Sequence, residues 1–216
     1  MTGLAATVLA DARFPGGGHV HSGGVEEAVA RGLVTGVEDL TTFLDGRLRT
    51  AGQVAAAFAA ASVHADAFDE LDVELDARTP SVAQRTASRA QGRATLRAAR
   101  LSWPSPRLDA LCRVHARPHH ALLVGAVIGI DGGTPAEAAR CVAYLAISGP
   151  AAAAVRLLGL DPFAVNAAIV GLGDVVREVV DIAVGGGLPA PGAPVLDLMA
   201  QAHVDSHREQ VRLFAS

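Results

Sequence analysis

The sequence predicts an all-α fold, a single-domain bundle of about eight to ten helices around one buried central helix. No long stretch alternates apolar and polar residues at period two, as a half-buried strand does. Each long segment instead begins and ends with residues typical of helix termini. The 216 residues suit one domain, and aromatic residues form only 4% of them, so small aliphatic side chains must fill the core.

The central helix is predicted within the longest apolar stretch of the chain. Thr134, Pro135 and Glu137 give it a capping box with proline at the first helical position. Residues 141–155 are apolar on almost every face, which is typical of a membrane span or of a helix buried in a bundle. Because Pro150 interrupts this run, fewer than about 18 uninterrupted apolar residues remain, and we expect a kinked, buried helix.

The other helices are predicted from local start and stop signals. Capping boxes or cap residues followed by proline are found at Thr35 with Glu38, Thr50 with Gln53, Thr79 with Pro80, Ser105 with Pro106, and Asp161 with Pro162. The predicted helices, with 66–76 as a short helix or turn, span residues 2–10, 23–32, 35–49, 51–65, 66–76, 79–103, 105–116, 118–130, 134–156, 161–184 and 195–210.

A glycine-rich loop, residues 11–21, precedes the second helix. Gly18 and Gly23 have the glycine spacing of a phosphate-binding loop, but Gly24 and Val25 stand where that loop needs lysine and serine or threonine. We therefore expect a tight turn that leads into a helix.

Composition excludes several classes of function. The net charge of −4 and the pI near 6.0 give no sign of nucleic-acid binding. All 18 basic residues are arginine, which excludes a Walker A or Schiff-base lysine. No nucleophile and base are paired in a known motif, so we expect no enzyme. Two unpaired cysteines and the lack of a basic signal region predict a cytoplasmic protein, and the mean hydropathy of +0.33 favours an oligomer or partner interface.

A ladder of arginines follows one face of the predicted helix 79–103. Its members are Arg85, Arg89, Arg93, Arg97 and Arg100. Like charges at this spacing repel one another, so an anionic surface is expected against them. Three partners fit: the acidic segment 66–76 folded back antiparallel, an acidic surface of another protein, or phosphate and nucleic acid.

Histidines provide only weak metal candidates. His203 and His207 are four residues apart on the last helix, and His19 and His21 flank the glycine-rich loop. A solvated pair or a loop position explains them better than a metal site does, so no firm metal site and no firmly bound cofactor are predicted.

Four stretches of the sequence carry recognisable motif residues in a fixed order. The first is the loop RFPGGGHVHSGGVE, with Pro15, Gly16, Ser22, Gly24 and Glu26. The second, RTASRAQGRATL, has Arg85, Ser88, Gly92 and Arg93, and the third, AAAAVRLLGL, has Arg156. The fourth is the tail HREQVRLFAS, with His207, Arg212, Leu213, Phe214 and Ser216. At these positions the four stretches together resemble the urease accessory protein family UreF, whereas His19, Val20 and His21 of the loop depart from its Phe-Ser-Tyr.

This resemblance implies a non-enzymatic, homodimeric helical scaffold. Such a scaffold joins a UreD/UreH-type accessory protein and recruits and modulates the GTPase UreG, so that nickel passes in transit into apo-urease. No contact with nucleic acid or membrane is implied. The GTP chemistry would lie in the partner, which agrees with the lack of lysine.

The matched residues imply roles in partner binding. Glu26 and Arg156 would lie on a GTPase-facing or regulatory surface, with Arg85, Arg89 and His207 as further contacts. Arg212, Leu213 and Phe214 form the end of a docking tail, residues 195–216, that would bind the UreD-type partner or brace the N-terminal region. The alternative is a helical regulator that binds partners, phosphate or nucleic acid through the arginines from Arg85 to Arg100.

Overall fold

A computed structural model describes residues 3–66, 68–189 and 195–206 together with Phe214, and within these residues all regular structure is helical. The all-α prediction is confirmed. The helices are α1 (Ala5–Ala10), α2 (Val25–Ala30), α3 (Val37–Arg47), α4 (Gln53–Ser62), α5 (Phe68–Ala77), α6 (Val82–Ser102), α7 (Pro106–Val114), α8 (His120–Ile130), α9 (Pro135–Leu158), α10 (Pro162–Gly171), α11 (Gly173–Gly185) and α12 (Val195–Ser206). A 3₁₀ turn at Gly18–Val20 and a π-helical segment at Leu48–Gly52 complete them.

Helix α9 is the central helix, as predicted. Thr134 and Glu137 form the capping box, and Gly159 ends the helix in the left-handed conformation. The helix continues through Pro150 and packs most extensively against α4 and α11. Among the described residues it alone is long and apolar enough to cross a bilayer, yet 44% of that stretch is buried against the rest of the fold.

Several predicted helix boundaries are wrong. Thr50 starts no helix, because α3 continues through the π segment directly into α4. Gly36 precedes α3, and Thr35 bonds to Asp39 rather than to Glu38. Ser81, not Thr79, caps α6. The predicted helix 161–184 is divided into α10 and α11, which raises the number of helices above the eight to ten expected.

Two hydrophobic clusters form the core, and α4 and α9 contribute to both. Ala56 and Ala60 of α4 meet one cluster, while Phe58 and Ala59 belong to the other. These two helices therefore form a wall between the clusters. Its alanine-rich surfaces allow the close helix packing that the low aromatic content predicted.

Glycines at two positions allow α8, and the segment just before it, to pack directly against the backbone of neighbouring helices. A Cβ on Gly125 of α8 would lie 2.0 Å from the carbonyl oxygen of Ala59 in α4. A Cβ on Gly92 of α6 would lie 1.9 Å from the carbonyl oxygen of Pro118. Both contacts are possible only without a side chain.

Candidate partner-binding site

Arg156 joins three segments that are far apart in the sequence. One of its guanidinium nitrogens, Nη2, donates to the carbonyl oxygen of His19, 3.1 Å away in the N-terminal loop. Its Cζ lies 4.5 Å from the ring centroid of Phe214, within cation–π distance. The residue itself is exposed near the end of α9. Three of the predicted site residues, His19, Arg156 and Phe214, are therefore found together, and we name them the Arg156 joint.

Phe214 is buried in the cluster that α9 shares with α2 and α3. This position agrees with the expected brace between the tail and the N-terminal region. His207, Arg212 and Leu213 lie outside the described residues, so their roles in partner binding stay predictions.

Glu26 does not lie on an open surface, because α12 covers it. The Nε2 atom of His203 lies 3.0 Å from Oε2 of Glu26, and its Nδ1 atom lies 3.4 Å from Oε2 of Glu27. Only 11% of the Glu26 side chain is exposed. Glu27 also pairs with Arg31 at 2.7 Å. A direct contact between Glu26 and a partner therefore requires α12 to move.

The charges around Glu27 favour its ionised form. Burial alone would raise the pKa of Glu27, but hydrogen bonds and charges from Arg31 and His203 outweigh that effect and lower it. The contacts of His203 with the carboxylates of Glu26 and Glu27 thus hold α12 against α2, in addition to apolar contacts.

The loop histidines do not form a metal site with other side chains of the described residues. Burial, followed by the charge of His19, lowers the pKa of His21. Burial and the charge of His21 lower the pKa of His120 to about 4. Both shifts favour neutral imidazole, the form that binds metals. Nevertheless, the described residues contain no group of three histidines, cysteines or carboxylates that could hold an ion.

Arg47 is the residue that sequence reasoning missed at this surface. Proline at position 150 has no N–H, so the carbonyl of Ala146 loses its helical donor. The Nε atom of Arg47 donates to that carbonyl at 3.0 Å, and its Nη1 donates to the carbonyl of Gly23 at 2.9 Å. A proline inside a helix signals an unpaired carbonyl four residues earlier, but no local pattern shows which side chain reaches it.

Gly23 is required where the loop meets this arginine. Its φ is +63°, and a Cβ would lie 3.0 Å from Cγ of Pro150 and 3.1 Å from Cζ of Arg47. Gly24 also has a positive φ of 93° and directly precedes α2, so turn geometry explains the glycines at positions 23 and 24. This confirms the expected tight turn that leads into a helix.

The arginine ladder has its first two partners in the acidic helix α5, one of the three predicted arrangements. Arg89 lies 2.9 Å from Asp72 and 2.7 Å from Asp76, and Arg85 lies 3.6 Å from Asp76. Buried His119 adds a contact of 3.1 Å to Asp76. Burial would raise the pKa of Asp76, but Arg89 and His119 lower it.

Ser88 and Gly92, two of the matched motif positions, fix the segment between α7 and α8. The Oγ atom of Ser88 lies 3.0 Å from Nδ1 of His119 and accepts from the backbone N–H of His120 at 3.1 Å. Gly92 lets the chain at Pro118 approach α6. This part of the motif is thus explained by packing inside the protein.

Comparison with known proteins connects these features to a family. The family model described as UreF matches residues 34–173. The urease accessory protein UreF of Mycobacterium sp. (strain JLS) is 49% identical over 211 residues, which are 96% of each chain. That of Mycobacterium marinum (strain ATCC BAA-535 / M) is 45% identical over 219 residues, which span 100% of both chains. That of Mycobacterium bovis (strain BCG / Pasteur 1173P2) is 44% identical over 205 residues, 94% of this chain and 95% of the relative. With this agreement over nearly its whole length, the chain belongs to the UreF family of urease accessory proteins.

Proposed function

We propose that this protein is a non-enzymatic scaffold for urease maturation in the cytoplasm. It joins a UreD/UreH-type accessory protein to the GTPase UreG and to apo-urease, so that nickel is delivered into the urease active site. Nickel is cargo in this process and binds no firm site on the chain. The family membership and the names of the relatives support the urease role, and the resemblance of the motifs supports the partners.

The Arg156 joint carries the proposal. A cation–π contact and a hydrogen bond join Arg156, near the end of α9, to Phe214 and to the N-terminal loop. Each of these contacts is worth only about 1 kcal/mol because the Arg156 side chain is exposed, so Arg156 adds little to folding. An exposed arginine that also fixes the N-terminal loop is well placed to contact a partner.

A homodimer is part of the proposal, and the outer face of α10 supports it. Phe163 is 85% exposed and Val170 is 70% exposed, on a helix whose sequence is almost entirely apolar. Exposed apolar residues grouped on one helix are typical of protein interfaces. We therefore place the contact between two copies on α10.

The test is urease activation in cells that carry the urease operon without this gene. Wild-type protein should restore activity, above all at limiting nickel. Arg156→Ala should restore less than half of it, with normal protein levels and weaker co-purification of the UreD/UreH-type protein or UreG. Arg177→Ala, which removes another exposed arginine from a surface ion pair with Asp174, is the matched control and should behave as wild type.

Full activation by Arg156→Ala at normal protein level would contradict the role of the joint. Full activation without the gene would contradict the urease role itself.

The second candidate, a regulator that binds phosphate or nucleic acid through the arginine ladder, is weakened by α5. Asp72 and Asp76 already neutralise much of the charge of Arg85 and Arg89.

A further inference from the structure

A cleft of about 450 Å³ opens along α6 beside the connection between α7 and α8. Three arginines of the ladder lie on one side and Arg117 lies on the other. The residues that line it are Asp76, Val82, Arg85, Thr86, Arg89, Ala90, Arg93 and Arg117. We name this feature the arginine cleft.

The fold holds the walls of the arginine cleft in place. Arg89 donates from Nη1 to the carbonyl oxygen of Arg117 at 2.9 Å, which fixes the two sides relative to each other. Arg85 donates to the carbonyl oxygens of Thr79 and Pro80 at 2.6 and 3.0 Å. The two guanidinium groups are therefore oriented before any ligand arrives, which lowers the entropy cost of binding.

The charges inside the cleft do not balance. Four guanidinium groups face one carboxylate, that of Asp76, and buried Asp72 adds a second beside Arg89. Arg93 and Arg117 are exposed, and no side chain of the described residues forms an ion pair with either of them. Two positive charges are left for an anionic ligand.

The lining favours a peptide over nucleic acid. Val82 is 57% exposed and, with Ala90 and the methyl group of Thr86, provides some apolar surface beside the charges. Within the part of the chain that the structure describes, no aromatic side chain lines the cleft, so bases have nothing to stack on.

The spacing of the arginines also fits a peptide. Side chains four residues apart on a helix are about 6 Å apart along its axis. Alternate side chains of an extended peptide, which point to the same face, are about 6.6 Å apart. We propose that the arginine cleft binds an extended acidic segment of a partner protein, whose alternate carboxylates lie along Arg85, Arg89 and Arg93 and which also pairs with Arg117 from across the cleft. This binding does not depend on the urease role.

The experiment measures fluorescence anisotropy of a labelled decapeptide of alternating glutamate and alanine with the full chain. Binding should weaken as salt is added, because the contacts are exposed ion pairs. Arg93→Gln with Arg117→Gln should weaken binding about tenfold, from two such pairs. The matched control is Arg97→Gln, since Arg97 is exposed on the same helix but does not line the cleft.

Four results would overturn the proposal: no binding, equal binding of the glutamine counterpart of the peptide, an equal loss from Arg97→Gln, or tighter binding of oligothymidylate. The last result would establish the nucleic-acid alternative. Circular dichroism of each variant should match wild type, because the substituted arginines are exposed.

Discussion

At the scale of single residues, arginine side chains make many of the hydrogen bonds to backbone carbonyls in the described part of the chain. The arginines that donate to backbone carbonyls are Arg47, Arg78, Arg85, Arg89, Arg107 and Arg156. Arg107 alone bonds the carbonyls of Ser62, Val63 and Ala65 at the end of α4. A planar fork with five N–H donors can bridge several acceptors, which a lysine ammonium cannot do in the same geometry. Arginine side chains can therefore supply the polar contacts that stabilise the fold, although the chain contains no lysine.

His120 makes stability depend on pH. Its pKa falls from about 6.5 in the unfolded chain to about 4 in the fold, because burial and His21 disfavour the charged form. The unfolded state therefore binds more protons in this range, and the free energy of unfolding drops as pH falls from 6.5 toward 4. His120→Gln, which cannot titrate, should remove about 1–2 kcal/mol of the acid-induced loss between pH 7.5 and 5.

Urea unfolding of both proteins at the two pH values measures this difference. Burial also lowers the pKa of His21 and His119, so the variant should retain part of the acid dependence. Equal acid-induced losses in wild type and variant would show that His120 titrates alike in both states.

At the scale of elements, the proline in α9 is tolerated because another helix supplies the missing donor. Arg47, at the end of α3, bonds the carbonyl that Pro150 leaves without its N–H and also fixes the loop at Gly23. Arg47→Met keeps an unbranched, flexible aliphatic chain but removes both bonds. We expect a loss of about 3 kcal/mol in the free energy of unfolding, since bonds from charged donors are worth about 1.5–3 kcal/mol each.

Arg49→Met is the matched control for this variant. Arg49 forms exposed ion pairs with Asp45 and Glu178, so its loss should cost less than about 1 kcal/mol. Combining Arg47→Met with Pro150→Ala should reduce the cost of the first change, because an alanine N–H can then bond Ala146. Equal costs of the two arginine changes would be inconsistent with this account.

Elements were predictable where a local signal agrees with the packing of the fold. Thr134 and Glu137 act within one turn, and the sequence alone identified their capping box. The pair Thr50 and Gln53 carries the same pattern, yet packing continues the helix through a π segment instead. Tertiary contacts therefore override a local signal of equal strength.

The candidate site was less predictable, because its contacts are long-range. The resemblance to the family selected Arg156 and Phe214 but not their contact, and it implied a surface position for Glu26. The burial of Glu26 follows from α12 packing on α2, and no pattern near Glu26 signals a partner in the last helix. The pairing of α5 with α6 was predictable, since opposite charges on neighbouring segments indicate an antiparallel contact.

At the scale of the whole molecule, the apolar face of α10 predicts self-association. Phe163→Glu should shift the protein from dimer to monomer in sedimentation velocity, because a charge at the centre of an apolar contact is left without a partner. Folding should be unaffected, since this side chain is exposed. Leu101→Glu, which changes an equally exposed residue on α6, should remain a dimer. A Phe163→Glu dimer as stable as that of wild type would move the interface away from α10.

The packing of α4 against α9 between the two clusters also has a consequence for synthesis of the chain on the ribosome. Helix α4 ends at Ser62, whereas α9 is complete only at Leu158. At about 5–20 residues per second, a ribosome needs on the order of ten seconds to add the residues between them. During that time the face of α4 that α9 will cover is open to other nascent chains. The packing of α4 on α9 that joins the two clusters in the finished molecule therefore leaves apolar surface exposed during synthesis. Chaperones would protect the chain from aggregation in this period.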